Sequence, residues 1–300
     1  MKIAIVGAGG VGGYTGAKLL KTGKNHVGFI ARGEHLKAIR KKGLTIIDED
    51  EIFNVTPDFI TDNPTDEGFF DLVIFCVKSY DLKNAASLIK NNITDKTYLM
   101  PILNGVDHDL KLKEIYPKNP ILNSSVYILS NIKEPGVIKK YGNTFFLVFG
   151  SRFVKKENLQ KLKKLFDEAG LKNKLTDNIE FETWKKYLFI SSFAVMTSFY
   201  KKPVGWIIQE KKEQLNELLN EIVSVANKKG ISLDERNIQS VLKQAQNIPY
   251  KSKTSMQIDF EKGKQNELEA LCGYIINEAE KENVSVPLMK RYYESLILNT

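Results

Sequence analysis

Three polar side chains in the second half of the chain are placed where they could act on a small carbonyl compound. Lys186 lies in Trp184-Lys185-Lys186-Tyr187, a segment with helical spacing in which Phe181, Trp184 and Leu188 mark a buried stripe. Lys186 falls about 200° round the helix from Trp184, outside that stripe. A lysine in a partly desolvated cleft has its pKa lowered and can donate a proton near neutral pH. Two adjacent lysines read equally well as solvated surface charge. Ser255 (in Lys253-Thr254-Ser255-Met256) and Glu267 (in Asn266-Glu267-Leu268-Glu269) are twelve positions apart, about 18 Å along an unbroken helix. A break at Gly263 would let both reach one substrate, Ser255 on a carboxylate and Glu267 on a hydroxyl. Their alternative roles are a helix N-cap and a first-turn acid.

The first half offers a different chemistry. Gly7-Ala8-Gly9-Gly10-Val11-Gly12 follows the apolar run MKIAIV and precedes a helical pattern. In that context GxGxxG reads as a dinucleotide loop: Gly7 for the turn, Gly9 for close approach of a pyrophosphate, Gly12 for helix–strand packing. The N–H groups of Ala8, Gly10 and Val11 and the rest of the loop then face phosphate. The next strand-like run ends in Arg32-Gly33, about 20 residues past the glycines, where an NAD site usually carries Asp or Glu. A guanidinium there suits a 2′-phosphate, so the cofactor reads as NADP(H) with Arg32 as its clamp. A solvated surface arginine is the other reading. Lys78 and Asn104 close two further strand-like runs, Cys76-Val77-Lys78-Ser79 and Leu103-Asn104-Gly105. Each could be a polar group on the rim of the cofactor crevice; the alternatives are a helix-preceding surface lysine for Lys78 and an ordinary turn for Asn104-Gly105.

The elements that must carry these residues fall into two halves. Strand-like runs at 1–6, 26–31, 71–77 and 97–103 alternate with helical patterns at 11–21, 34–42 and 80–90, which predicts βαβ units and a parallel sheet. Residues 44–48 and 52–57 predict a β-hairpin. The β-rich runs 121–129, 136–141 and 144–149, with turns at 134–136 and 142–143, are expected to extend that sheet in an antiparallel manner. From residue 178 helical patterns dominate, at 181–200, 211–229, 233–246, 255–261, 267–282 and 287–296, and Gly230 after Lys228-Lys229 marks a helix end. The expectation is an α/β Rossmann-type dinucleotide-binding domain over 1–177 and an all-α substrate and catalytic domain over 178–300.

With 300 residues, 42% hydrophobic and 27% charged, the chain has ample material for a core, and no apolar run approaches a membrane span. The net charge of +8 is spread over lysines interleaved with acids, which reads as solvated helix faces rather than a nucleic-acid stripe. Two cysteines without CxxC or CxxH spacing give neither a disulfide framework nor a metal site. The N-terminus runs straight into the first strand without a signal-peptide pattern, which points to the cytoplasm.

Taken together, these motifs resemble the ketopantoate reductase (2-dehydropantoate 2-reductase) family, in order and over essentially the whole chain. The resemblance rests on Gly7-x-Gly9-x-x-Gly12, Arg32-Gly33, Cys76-Val77-Lys78, Asn104-Gly105, Trp184-x-Lys186, Thr254-Ser255-Met256 and Asn266-Glu267-Leu268-Glu269 with Gly273-Tyr274. It implies that Lys186 is the general acid, that Asn104 and Lys78 line the cofactor–substrate junction, and that Ser255 holds the substrate carboxylate. Glu267 would position Lys186 or the substrate hydroxyl. It also implies NADPH as reductant, a place in the route to pantothenate and coenzyme A, and, as in some members, a homodimer. The chain departs from the family in two places. Ile190, followed by Ser191 and Ser192, stands where an asparagine is usual one turn after the lysine, so a hydrogen bond to substrate is either lost or supplied by Ser191. Val106-Asp107 stands where a second glycine is usual.

The expected activity is reduction of a 2-oxo acid by NADPH, ketopantoate first among the candidates. A dehydrogenase for another 2-oxo acid or an opine would share the cofactor site. A non-catalytic NADP(H)-binding protein would share the loop but not use Lys186.

Overall fold

The computed structural model describes residues 1–298. The chain divides into two units: Met1–Leu103 with Asp107–Ile179, and Asn104–Val106 with the residues from Glu180 onward. Three residues from the first half of the chain therefore group with the second unit.

The first unit runs β1 (Lys2–Val6), α1 (Gly10–Lys21), β2 (His26–Ile30), α2 (Gly33–Lys42), β3 (Leu44–Ile47), β4 (Ile52–Val55), β5 (Phe59–Thr61), β6 (Leu72–Phe75), α3 (Leu82–Leu88), β7 (Tyr98–Pro101), α4 (His108–Ile115), β8 (Asn123–Glu134), β9 (Val137–Gly150), α5 (Gln160–Glu168) and β10 (Asn173–Leu175). Five strands form a parallel sheet in the order β5-β2-β1-β6-β7. Ile3, Ile5 and Ile74 join one hydrophobic cluster, while Ala4, Val6, Val73 and Phe75 join another. Successive residues of a strand point to opposite faces, so both faces are covered, which is why these strands read as continuous apolar runs. Val6 is level with both Ile30 and Phe75. The glycine loop, Arg32 and Lys78 consequently leave the sheet along one edge.

The remaining strands do not extend this sheet. They form a second one, β10-β9-β3-β4 with β8 paired to β9, and the hairpin β3–β4 belongs to it. Its residues Ile138, Leu147 and Phe149 face the same cluster as Tyr14 and Ala17 of α1, so the apolar side of α1 is shared between two sheets. The turn expected at 142–143 is also absent. β9 is unbroken, and its pairing to β8 jumps from Ile128↔Phe145 to Leu129↔Tyr141, leaving residues 142–144 as a bulge. The buried Lys140 explains it: its ammonium donates to the Gly142 carbonyl and to Asp48, each at 2.6 Å. Tyr14 Oη donates to the other oxygen of Asp48 at 2.9 Å. Burial would raise the Asp48 pKa, but the bonds from Lys140 and Tyr14 outweigh it and hold the carboxyl ionised.

The second unit is helical: α6 (Ile179–Tyr200), α7 (Val204–Glu210), α8 (Lys212–Lys228), α9 (Glu235–Gln246), α10 (Ser255–Glu261), α11 (Tyr274–Lys281) and α12 (Pro287–Ile297). Its core joins Trp184, Leu188 and Val195 of α6 to Leu218, Leu219 and Ile222 of α8 and to Met289 and Tyr292 of α12. Asp234 caps α9 in a capping box with Asn237. Gly230 (φ 81°) follows α8 and Gly263 (φ 60°) follows α10, as their positions in the sequence suggest. The single helix expected over 267–282 is instead a π-helical turn, Glu269–Gly273, leading into α11. No helix among the described residues is long and apolar enough to cross a membrane.

Candidate active site

The glycine loop has the shape a dinucleotide requires. Gly7 has φ 99°, and a Cβ there would meet the Cys76 carbonyl oxygen at 2.6 Å, so only glycine fits the turn. At Gly12 a Cβ would lie 2.0 Å from the Gly7 carbonyl oxygen, whereas at Gly9 it would meet nothing within 4 Å. The three glycines thus serve turn, open approach and close packing, as expected of this motif. No side chain caps α1 and no acid lies in its first turn, so the N–H groups of Gly10, Val11 and Gly12 are presented to an anion. Gly10 has a further reason to be glycine: a Cβ there would run into the Ser130 carbonyl oxygen of β8 at 2.4 Å.

Arg32 precedes α2 in an extended conformation, and Gly33 begins that helix with φ 64°. Its side chain is 79% exposed and touches the Asp81 carboxylate at 3.1 Å. Lys78, half-buried, precedes the short 3₁₀ turn Ser79–Asp81 that follows β6.

In the helical unit Lys186 and Asn104 meet. Lys186 Nζ donates to Asn104 Oδ1 at 3.2 Å. The turn that presents the amide needs Gly105, whose φ is 129°, and is anchored by Val106, buried in the helical core. Trp184, Tyr187 and Leu188 pack in that core on either side of the lysine. Burial lowers the Lys186 ammonium to about 8, and the Glu267 carboxylate pulls the other way. Glu267 is itself buried, at 4% exposed. The result is a cationic donor that is largely ionised at neutral pH yet close to releasing its proton.

Two expected substrate contacts are placed differently from one another. Ser255 is exposed at the first position of α10; the cap is Thr254, whose hydroxyl accepts from the Gln257 N–H. The capping alternative for Ser255 is therefore wrong by one residue. Ser191 is fully buried, and its Oγ donates to the Leu271 carbonyl at 2.5 Å. Its proton is committed to the π-helical turn. Tyr187, which the sequence marked only by its place next to Lys186, donates to the Ala270 carbonyl of the same turn at 2.9 Å. A π-helical turn bonds i to i+5 in place of i+4, and two hydroxyls of α6 donate to its carbonyls as well. Ile190 lies half-buried against the helical core. Among the described residues no group of His, Cys, Asp and Glu is arranged to hold a metal ion.

A covered parallel sheet with this loop, and a half-buried lysine in a helical unit, define an oxidoreductase that uses a nicotinamide dinucleotide. The chain belongs to the ketopantoate reductase PanE/ApbA family, whose models match residues 3–152 and, for the C-terminal part, 178–298. It is 30% identical to an uncharacterised oxidoreductase, YkpB, of Bacillus subtilis, over 99% of this chain and 98% of that one. It is 28% identical to the 2-dehydropantoate 2-reductase of Pyrococcus horikoshii, over 96% and 94%. The crystal structure of 2-dehydropantoate 2-reductase from Porphyromonas gingivalis superposes with a TM-score of 0.87 at 30% identity, covering 99% of each chain.

Proposed function

We propose that the protein reduces a 2-oxo acid to a 2-hydroxy acid with NADPH, and that the substrate is ketopantoate, giving pantoate for pantothenate and coenzyme A synthesis. The reading is carried by one observation, the half-buried ammonium of Lys186 held by Asn104 with Glu267 acting on it. The loop Gly7–Gly12 holds the pyrophosphate and Arg32 the 2′-phosphate, while Lys78 and Asn104 border the junction with substrate. The bound cofactor supplies a hydride to the keto carbon. Lys186 donates its proton to the oxygen on which charge develops, and its positive charge lowers the energy of that state. Glu267 keeps Lys186 protonated by opposing the effect of burial, and Ser255 binds the carboxylate. Relatives named as 2-dehydropantoate 2-reductases support the choice of substrate.

Ile190 favours a second reading. With an apolar side chain there and the Ser191 proton committed to Leu271, neither residue offers a free donor one turn after Lys186, and a different 2-oxo acid fits that face as well. Oxidation of NADPH followed at fixed enzyme against ketopantoate, a panel of other 2-oxo acids, and oxo acids with amines separates the readings. Ketopantoate should give the highest kcat/KM; turnover of another acid at higher kcat/KM would replace it, and turnover only with amines would make the enzyme an opine-type dehydrogenase.

A further inference from the structure

We propose that His35 is a positioning residue of the dinucleotide site, setting the Ala8–Gly9 peptide of the glycine loop from behind. This rests on Gly7–Gly12 being the loop that binds the cofactor.

His35 lies in the first turn of α2, three residues after Arg32, with its ring half-buried. Nε2 is 2.8 Å from the Ala8 carbonyl oxygen, and Nδ1 is 3.0 Å from the Gly136 backbone nitrogen. A carbonyl can only accept and a backbone N–H can only donate, so Nε2 carries the proton and Nδ1 the lone pair. The partners thus select one neutral tautomer. Burial, which lowers the imidazole pKa, favours the same form.

The far end of this strut is firmly fixed. Gly136 sits in the β8–β9 turn with φ 82°, its carbonyl accepts from the Thr45 N–H at 2.9 Å, and a Cβ there would press on Ala38 at 3.2 Å. The near end is the Ala8 carbonyl, between two loop groups held by backbone bonds. The Gly7 N–H is bonded to the Ile30 carbonyl and the Gly9 carbonyl accepts the first bond of α1, from Gly13. The Ala8 carbonyl lies between them, and Gly9 has the extended φ of −70°, which constrains nothing by itself. In a planar trans peptide the carbonyl and the following N–H point in opposite directions. Holding the Ala8 carbonyl toward α2 therefore turns the Gly9 N–H away from α2, on the residue where the loop is open enough to admit a ligand. A preoriented N–H binds a phosphate without first losing rotational freedom.

The two ring nitrogens can be tested separately. Glutamine can place an amide nitrogen where Nε2 stands, keeping the donor to Ala8 and giving up the acceptor for Gly136. Asparagine can keep the acceptor for Gly136 and cannot reach Ala8. Dissociation constants for NADPH and NADH are measured by fluorescence titration of His35→Gln, His35→Asn and His35→Ala, with thermal unfolding of each protein without cofactor as the structural control. His35→Gln should bind within about twofold of the parent, while His35→Asn and His35→Ala should bind about tenfold more weakly, the usual effect of losing one well-placed hydrogen bond. Parent-like affinity in His35→Asn would overturn the proposal. So would affinities that fall in step with thermal stability across the three variants, since that marks a purely structural tie. If the parent protein binds neither dinucleotide, the reading of the loop fails instead.

Discussion

Lys186 Nζ and Asn104 Oδ1 lie 3.2 Å apart although 82 positions separate them in the chain. Each is delivered by a different device. Lys186 sits on α6 between the core residues Trp184, Tyr187 and Leu188, whereas Asn104 is held by a glycine turn and the buried Val106. The contact fixes the direction in which the ammonium donates, which is the first requirement of a proton donor.

Replacing Lys186 by alanine should lower kcat by about 10²–10⁴ while NADPH still binds, since the lost group acts on the substrate oxygen. On the proposed mechanism the protonated lysine is the active form. The pH profile of kcat/KM should therefore be flat below, and fall as pH rises through, the Lys186 value of about 8. Glu267 raises that value, so Glu267→Gln should move the alkaline limb to lower pH. Steady-state kinetics over pH 6–10 (roughly the span of the titration) check both, and an alkaline limb unaffected in Glu267→Gln would separate the two residues.

Arg32→Asp should weaken NADPH by tenfold or more, roughly the value of a charge-assisted pair, and leave NADH nearly unchanged. Arg32 makes an exposed contact with Asp81, and a pair of that kind is cheap to exchange for a phosphate. Asp81→Asn should accordingly leave NADPH binding equal or tighter. Direct titration with both cofactors decides it: equal loss of NADPH and NADH in Arg32→Asp would refute the clamp.

Tyr187→Phe and Ser191→Ala each remove a buried hydrogen bond to a carbonyl of the π-helical turn, at a cost of about 0.5–1.5 kcal/mol. The effect should extend to the active site, because the Leu271 N–H bonds to the Glu267 carbonyl at 2.9 Å while the Leu271 carbonyl accepts from Ser191. Both variants should unfold at lower temperature and show an alkaline limb shifted to lower pH. A drop in thermal stability with an unmoved limb would confine the two hydroxyls to a structural role.

The local signals survived folding because they depend on neighbours in the sequence. Gly7, Gly9 and Gly12 follow a strand and start a helix whatever else the chain does, and the period of Phe181, Trp184 and Leu188 specifies a helix. Gly230 and Gly263 end helices because a positive φ is a property of the residue itself. The parallel sheet, the helical second unit and the family followed from such features.

Contacts over long distances along the chain were not legible. The β-rich run after residue 120 looked like an extension of the first sheet, since alternation gives a strand but not its partners. Pairing with β3, and the ammonium of Lys140 reaching Asp48 and Gly142, decided otherwise. The π-helical turn has the apolar pattern of an α-helix, and the hydroxyls of Tyr187 and Ser191 that bond to it come from a distant part of the chain. For Ser191 the sequence supplied a hydroxyl near the lysine, while packing determined what that hydroxyl bonds. The sequence alone established the residue types and the elements that carry them. Only the tertiary structure decided which lysine is desolvated and beside what, because desolvation and hydrogen-bond partners come from atoms distant along the chain.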